Sequence, residues 1–132
     1  MLLGNGDGSF QAHVDYAVGG DPVAVTVADL NGDGFLDLAV ANSNSASGPA
    51  PGSVSVLFGN GDGTFQAQQV YPAGLMISSV VTGDFNGDGQ LDFAVTNEDD
   101  ETVDVYLNQG HGTFSQPRFS LVRGLCFGSC RE

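Results

Sequence analysis

Residues 29–40 read DLNGDGFLDLAV and place the oxygen-bearing side chains Asp29, Asn31, Asp33 and Asp37 at positions 1, 3, 5 and 9. The string returns 55 positions later, at residues 84–95, as DFNGDGQLDFAV, with Asp84, Asn86, Asp88 and Asp92. Gly34 and Gly89 stand at position 6, where the chain must bend, and the carbonyls of Phe35 and Gln90 are available at position 7. Hard oxygen ligands at this spacing wrap one calcium ion, which accepts about 6 to 8 oxygens in an adaptable shell. Magnesium demands stricter octahedral geometry, and zinc would want nitrogen or sulfur that the string lacks. The alternative, a merely solvated acidic turn, must crowd three carboxylates that repel one another unless a cation neutralises them. The expectation is two Ca2+ per chain, held by Asp29, Asn31, Asp33, Phe35 (carbonyl) and Asp37, and by Asp84, Asn86, Asp88, Gln90 (carbonyl) and Asp92.

Other calcium motifs begin similarly and fail on particulars. An EF-hand needs a bidentate carboxylate at position 12, where this chain has Val40 and Val95, and it needs flanking helices. β-Roll nonapeptide repeats recur every few residues, not every ~50. The related GNGDG turns, with Asn5 and Asp7 and with Asn60 and Asp62, carry too few ligands for a metal cage and read as hairpin turns. The acidic run at residues 98–101 reads as a solvated loop. His13 and His111 lack a neighbouring nucleophile or base and read as surface residues. Cys126 and Cys130, in CFGSC, read as a small-loop disulfide in an oxidising compartment or as unpaired thiols.

The loops need elements to hold them, and the flanks read as strands. VAVTVADL puts Val23, Val25 and Val27 on one face and Ala24, Thr26 and Ala28 on the other; FLDLAVAN alternates Leu36, Leu38 and Val40 with Asp37, Ala39 and Ala41. Both faces are apolar or small, which predicts a sheet stacked between two others. SVSVLFGNGDGTFQAQ predicts two further strands around Asn-Gly and Asp-Gly turns. No window shows a 3.6-residue period, so the unit is a four-stranded antiparallel meander, the size of one propeller blade. LLGNGDGSFQ, LFGNGDGTFQ and YLNQGHGTFS mark three repeat positions, and Met1 falls inside a repeat. Phe10, Phe65 and Phe114 share one position in it and are expected in blade cores. Tyr16, Tyr71 and Tyr106 are expected to pack within strands; clustered between blades in a concave pocket, they would instead offer a glycan platform.

Composition narrows the partners. The chain has 132 residues, 41% of them hydrophobic, as in a folded domain. Three Lys+Arg against 16 Asp+Glu make a formal charge of -13, which repels nucleic acid and anionic lipid. No run approaches a membrane span, and the first residues lack the basic and apolar regions of a signal peptide.

The pairing of DxNxDGxxDxAV with a downstream GNGDGTF resembles the FG-GAP, or VCBS, repeat of integrin α-subunit β-propellers and of many bacterial surface and secreted proteins. The resemblance runs nearly to Arg118. It implies an all-β fold of β-propeller blades, each calcium loop joining a blade's first two strands, with partners docking on the opposite face. That face would carry the loops near residues 19–21, 42–52, 72–78 and 97–102. About two and a half blades are expected: a half blade over 1–19, blades over 22–72 and 78–119, and a degenerate tail or closing strand over 120–132. Closed propellers use roughly 4 to 8 blades, so closure needs a homo-oligomer or a longer chain. The function implied is a non-catalytic, calcium-stabilised adhesion module for a protein or glycan ligand, extracellular or at the cell surface. The alternative is a fragment of an extracellular calcium-containing hydrolase or lyase.

Overall fold

The computed structural model describes residues 1–45, 48 and 50–115 and the backbone of 118–121. The cysteines Cys126 and Cys130 lie outside the described residues. Among the described residues, eight strands form two sheets: β1 (Pro22–Ala28), β2 (Asp37–Asn42), β3 (Ser53–Leu57) and β4 (Gln69–Pro72) in one, and β5 (Ile77–Gly83), β6 (Asp92–Asn97), β7 (Thr102–Tyr106) and β8 (Arg118–Leu121) in the other. Sequential neighbours pair antiparallel throughout, so each sheet is a meander. The repeat is conformational as well as chemical. The first ladder shifts register between Pro22 and Ala24 and the fifth strand's ladder shifts between Ile77 and Ser79, which are the same repeat positions.

Register decides how the sheets stack. Ala24, Ala41 and Val54 lie opposite one another across three strands, as do Thr26, Ala39 and Val56, giving the first sheet a face of small side chains. The second sheet's β5 packs against β1 and β2, and Ile77, Val80, Phe93, Val95 and Tyr106 join Ala39, Ala41, Val54 and Val56 in one core. Small residues on one side allow close approach, and the large side chains of the next blade fill the space between. The tyrosines take the packing role. Tyr71 meets Phe93, Tyr106 and Phe114 edge-on, Tyr106 is fully buried, and its hydroxyl donates to the Pro72 carbonyl across the blade boundary.

Two expectations are corrected. The valine face of β1 is open: Val25 is 59% exposed, whereas Val80, at the same repeat position in the second blade, is 6% exposed because the first blade covers it. Residues 1–20 lie beside the first blade, with Gly19 N donating to Ser55 and Tyr16 edge-on to Phe65, but they do not cover β1. The phenylalanine position is likewise uneven. Phe114 is 8% exposed within the core, Phe65 is half-buried, and Phe10 is 63% exposed, since no neighbouring sheet closes over it. Residues 1–19 carry the Gly4 to Phe10 bridge of a hairpin and no named strand.

Candidate metal centre

Each aspartate loop joins the first two strands of its blade, and both loops lie at the same end of the stack as the glycine-rich turns. The fold of the loop is written locally. Gly32 and Gly34 adopt φ of +79° and +88°, and Gly87 and Gly89 adopt +76° and +85°, a region other residues enter only at a cost. The chain therefore curls around its own first aspartate. Asp29 accepts from Gly32 N at 2.8 Å and Gly34 N at 2.9 Å; Asp84 accepts from Gly87 N at 2.8 Å and Gly89 N at 2.9 Å. Asn31 Oδ1 accepts from Asp33 N and Asp33 Oδ1 from Phe35 N, and Asn86 and Asp88 repeat both bonds with Asp88 N and Gln90 N.

Position 9 differs in kind. Asp37 and Asp92 are fully buried at the start of β2 and β6. Asp37 accepts from Leu30 N and from Gly59 N, each at 2.8 Å, so it ties its own loop to the turn that follows β3. Asp92 does the same with Phe85 N at 2.9 Å and Asn108 N at 2.8 Å. Burial pushes the Asp37 carboxyl above its ordinary range; the Gly59 and Leu30 amides pull it down, and the charges of Asp33 and Asp29 push it up again.

Among the described residues, no group of three His, Cys, Asp or Glu side chains converges as a preformed metal cage. The donor set nonetheless fits a hard cation. Every side-chain ligand offered is an oxygen, and a carboxylate has about four lone-pair positions, of which Asp29 and Asp37 each use two on backbone amides. A cation in the loop would offset the negative charges of Asp29 and Asp33 that Asp37 faces.

The GNGDG turns hold themselves. Asp62 accepts from the hydroxyl and the amide of Thr64, and Asp7 from those of Ser9, which keeps both carboxyls below their usual range. Of the acidic run, Asp100 has a structural task, accepting from Leu75 N at 3.0 Å. His13 and His111 are exposed, and His13 lies 3.8 Å from Asp15, an exposed pair worth little.

Sequence reasoning missed Asn108. It is buried, and its Nδ2 donates to the carbonyls of Leu30 at 2.6 Å and Leu91 at 2.9 Å, one in each aspartate loop. The signal was present: Asn108 stands where the preceding repeat has Gly59. Gly59 itself admits no side chain, since an added Cβ would lie 2.2 Å from the Leu36 carbonyl oxygen. Gly59→Ala is expected to lower stability by about 1–3 kcal/mol, with or without calcium, because the backbone that must yield also carries the Asp37 bond. A urea melt with an unchanged midpoint would refute that.

Four-stranded meanders stacked face to face, each with an oxygen-rich loop between its first two strands, define a propeller-type repeat protein. Family models match twice over: the FG-GAP-like repeat over residues 45–95 and 84–124, and the FG-GAP repeat over residues 22–57. The chain belongs to the FG-GAP repeat family. FG-GAP repeats are in general non-catalytic interaction modules, typical of extracellular or surface proteins. No curated protein and no solved structure gives a significant match. Among the described residues, no helix is long and apolar enough to cross a membrane.

Proposed function

We propose that this chain is a calcium-stabilised, non-catalytic propeller module that presents loops to a protein or glycan partner in an extracellular setting. The observation that carries the reading is the duplicated oxygen loop, folded by the same glycines and amide bonds in both blades. Calcium, when bound, supplies positive charge at the corner where like charges meet. The chain's own residues do the rest. Asp29, Asn31, Asp33, the Phe35 carbonyl and Asp37 would hold the ion in the first loop, and Asp84, Asn86, Asp88, the Gln90 carbonyl and Asp92 in the second, with Asp37 and Asp92 also tying each loop to the turn beside it. The loops near residues 19–21, 42–52, 72–78 and 97–102, opposite the aspartate loops, would meet the partner. The propeller would be closed by copies of the chain or by further blades of a longer one.

The test separates metal ligands from scaffold. At free calcium 100-fold above its Kd, one ion adds about 2.7 kcal/mol of stability. Asp33→Ala or Asp88→Ala should forfeit that contribution in calcium, yet in chelator change stability by no more than about 1–2 kcal/mol, the worth of two exposed hydrogen bonds. Melting curves that shift equally in both conditions would overturn the calcium assignment.

A further inference from the structure

We propose that Asn108 couples the two aspartate loops, so that calcium held by one loop raises the affinity of the other. This inference rests on the calcium reading above and goes beyond it, because nothing in two separate loops requires them to communicate.

The physical basis is a continuous, mostly buried hydrogen-bond path with Asn108 at its centre. Asp37 Oδ2 accepts from Leu30 N; the same residue's carbonyl accepts from Asn108 Nδ2; Asn108 N donates to Asp92 Oδ1; and Asp92 Oδ2 accepts from Phe85 N. Two residues, Leu30 through its backbone and Asn108 through its side chain and backbone amide, therefore join the position-9 carboxylates of both blades. The second Nδ2 bond, to Leu91 O, grips the other loop directly. Gly110 N donates to Asn108 Oδ1 at 2.9 Å, which fixes the amide's orientation so that Nδ2 faces both carbonyls. The turn that carries this amide also leans on the first loop: an added Cβ on Gly112 would lie 3.2 Å from Asn31 Cβ and 2.5 Å from the Phe58 ring.

Coupling follows from ordering. Asp29 precedes Leu30 in the chain, and Asp92 follows Leu91, so each carbonyl held by Asn108 is adjacent to a carboxylate of its loop. An ion that immobilises the first loop immobilises Leu30 O, hence the Asn108 amide, hence Leu91 O and Asp92. The second ion then meets a loop whose conformational freedom has already been spent, which is positive cooperativity without a change of shape. The device occurs once among the described residues. Gly59, at the corresponding position of the first blade, donates its amide to Asp37 but has no side chain with which to reach another loop.

The experiment is calorimetric titration of the full chain with Ca2+. Asp33→Ala and Asp88→Ala each leave one loop, and their single-site affinities give the uncoupled reference. The product of the two wild-type binding constants is expected to exceed the product of the single-site constants by about 5-fold or more, the lower end of measured couplings. Asn108→Ala should bring that ratio to about 1, while Asp33→Ala/Asn108→Ala and Asp88→Ala/Asn108→Ala keep their single-site affinities; a merely structural role would lower every affinity and leave the ratio intact. A wild-type ratio of 1, or a ratio that survives Asn108→Ala, overturns the proposal. Should Asn108→Ala lose its far-ultraviolet strand signal, Asn108→Gly, which installs the residue used at position 59, takes its place, and the wild-type ratio by itself still decides whether the loops are coupled. Absence of binding heat at either loop fails the calcium reading itself, an outcome distinct from two independent sites.

Discussion

Asp37→Ala is expected to cost about 2–6 kcal/mol even in chelator, because two buried amides, Leu30 N and Gly59 N, lose their acceptor at ~1–3 kcal/mol each. That range reaches a large share of the roughly 5–15 kcal/mol by which a domain of this kind is stable, so partial unfolding at room temperature is within reach. Asp92→Ala should behave in the same way through Phe85 N and Asn108 N. The contrast with Asp33→Ala is the informative part. Asp33 is exposed and bonds within its own loop, so its loss matters chiefly when an ion is present, whereas Asp37 is needed whether or not one is. Urea denaturation of the two variants, each with calcium and with chelator, reads both effects; an Asp37→Ala midpoint close to wild type in chelator would remove the scaffold role assigned here.

Phe93→Ala is expected to destabilise by about 3–5 kcal/mol, the usual cost of emptying a buried aromatic site. Phe93 is fully buried, stacks on Tyr106 with centroids 4.5 Å apart, and meets Phe114 at 4.7 Å and Tyr71 at 5.8 Å. Tyr71 belongs to the first blade, so the cavity would open at the boundary between sheets and loosen their stacking. Leu38 occupies the corresponding position of the first blade and is only half-buried. Leu38→Ala should therefore cost clearly less than Phe93→Ala in the same urea titration, and equal costs would contradict the directional stacking of one blade on the next.

Strands and loops were legible because their signals are local. Alternation in VAVTVA and LDLAVA has the strand period, and glycines two apart in NGDG allow the positive φ that curls the loop, whatever the rest of the chain does. The family resemblance drew on those same strings. Which apolar face is covered was not legible, since Val25 and Val80 are the same residue at the same repeat position and differ only in whether a neighbouring sheet lies over them. Asp37 and Asp92 show the same limit. Spacing groups them with the loop ligands, yet burial and two amide partners give them a structural duty that one-dimensional spacing does not express.

By itself the sequence determined the all-β class, the blade repeat and the oxygen-rich loops with their duplicated donor set, because these depend on backbone preferences and side-chain chemistry within about a dozen neighbouring residues. Tertiary structure alone decided that the second blade's large face lies on the first blade's small one, that Phe10 is exposed while Phe114 is in the core, and that Asn108 spans both loops. Those outcomes depend on contacts between residues far apart in the chain, 78 positions in the Asn108 to Leu30 bond, and no local pattern encodes which distant surface arrives.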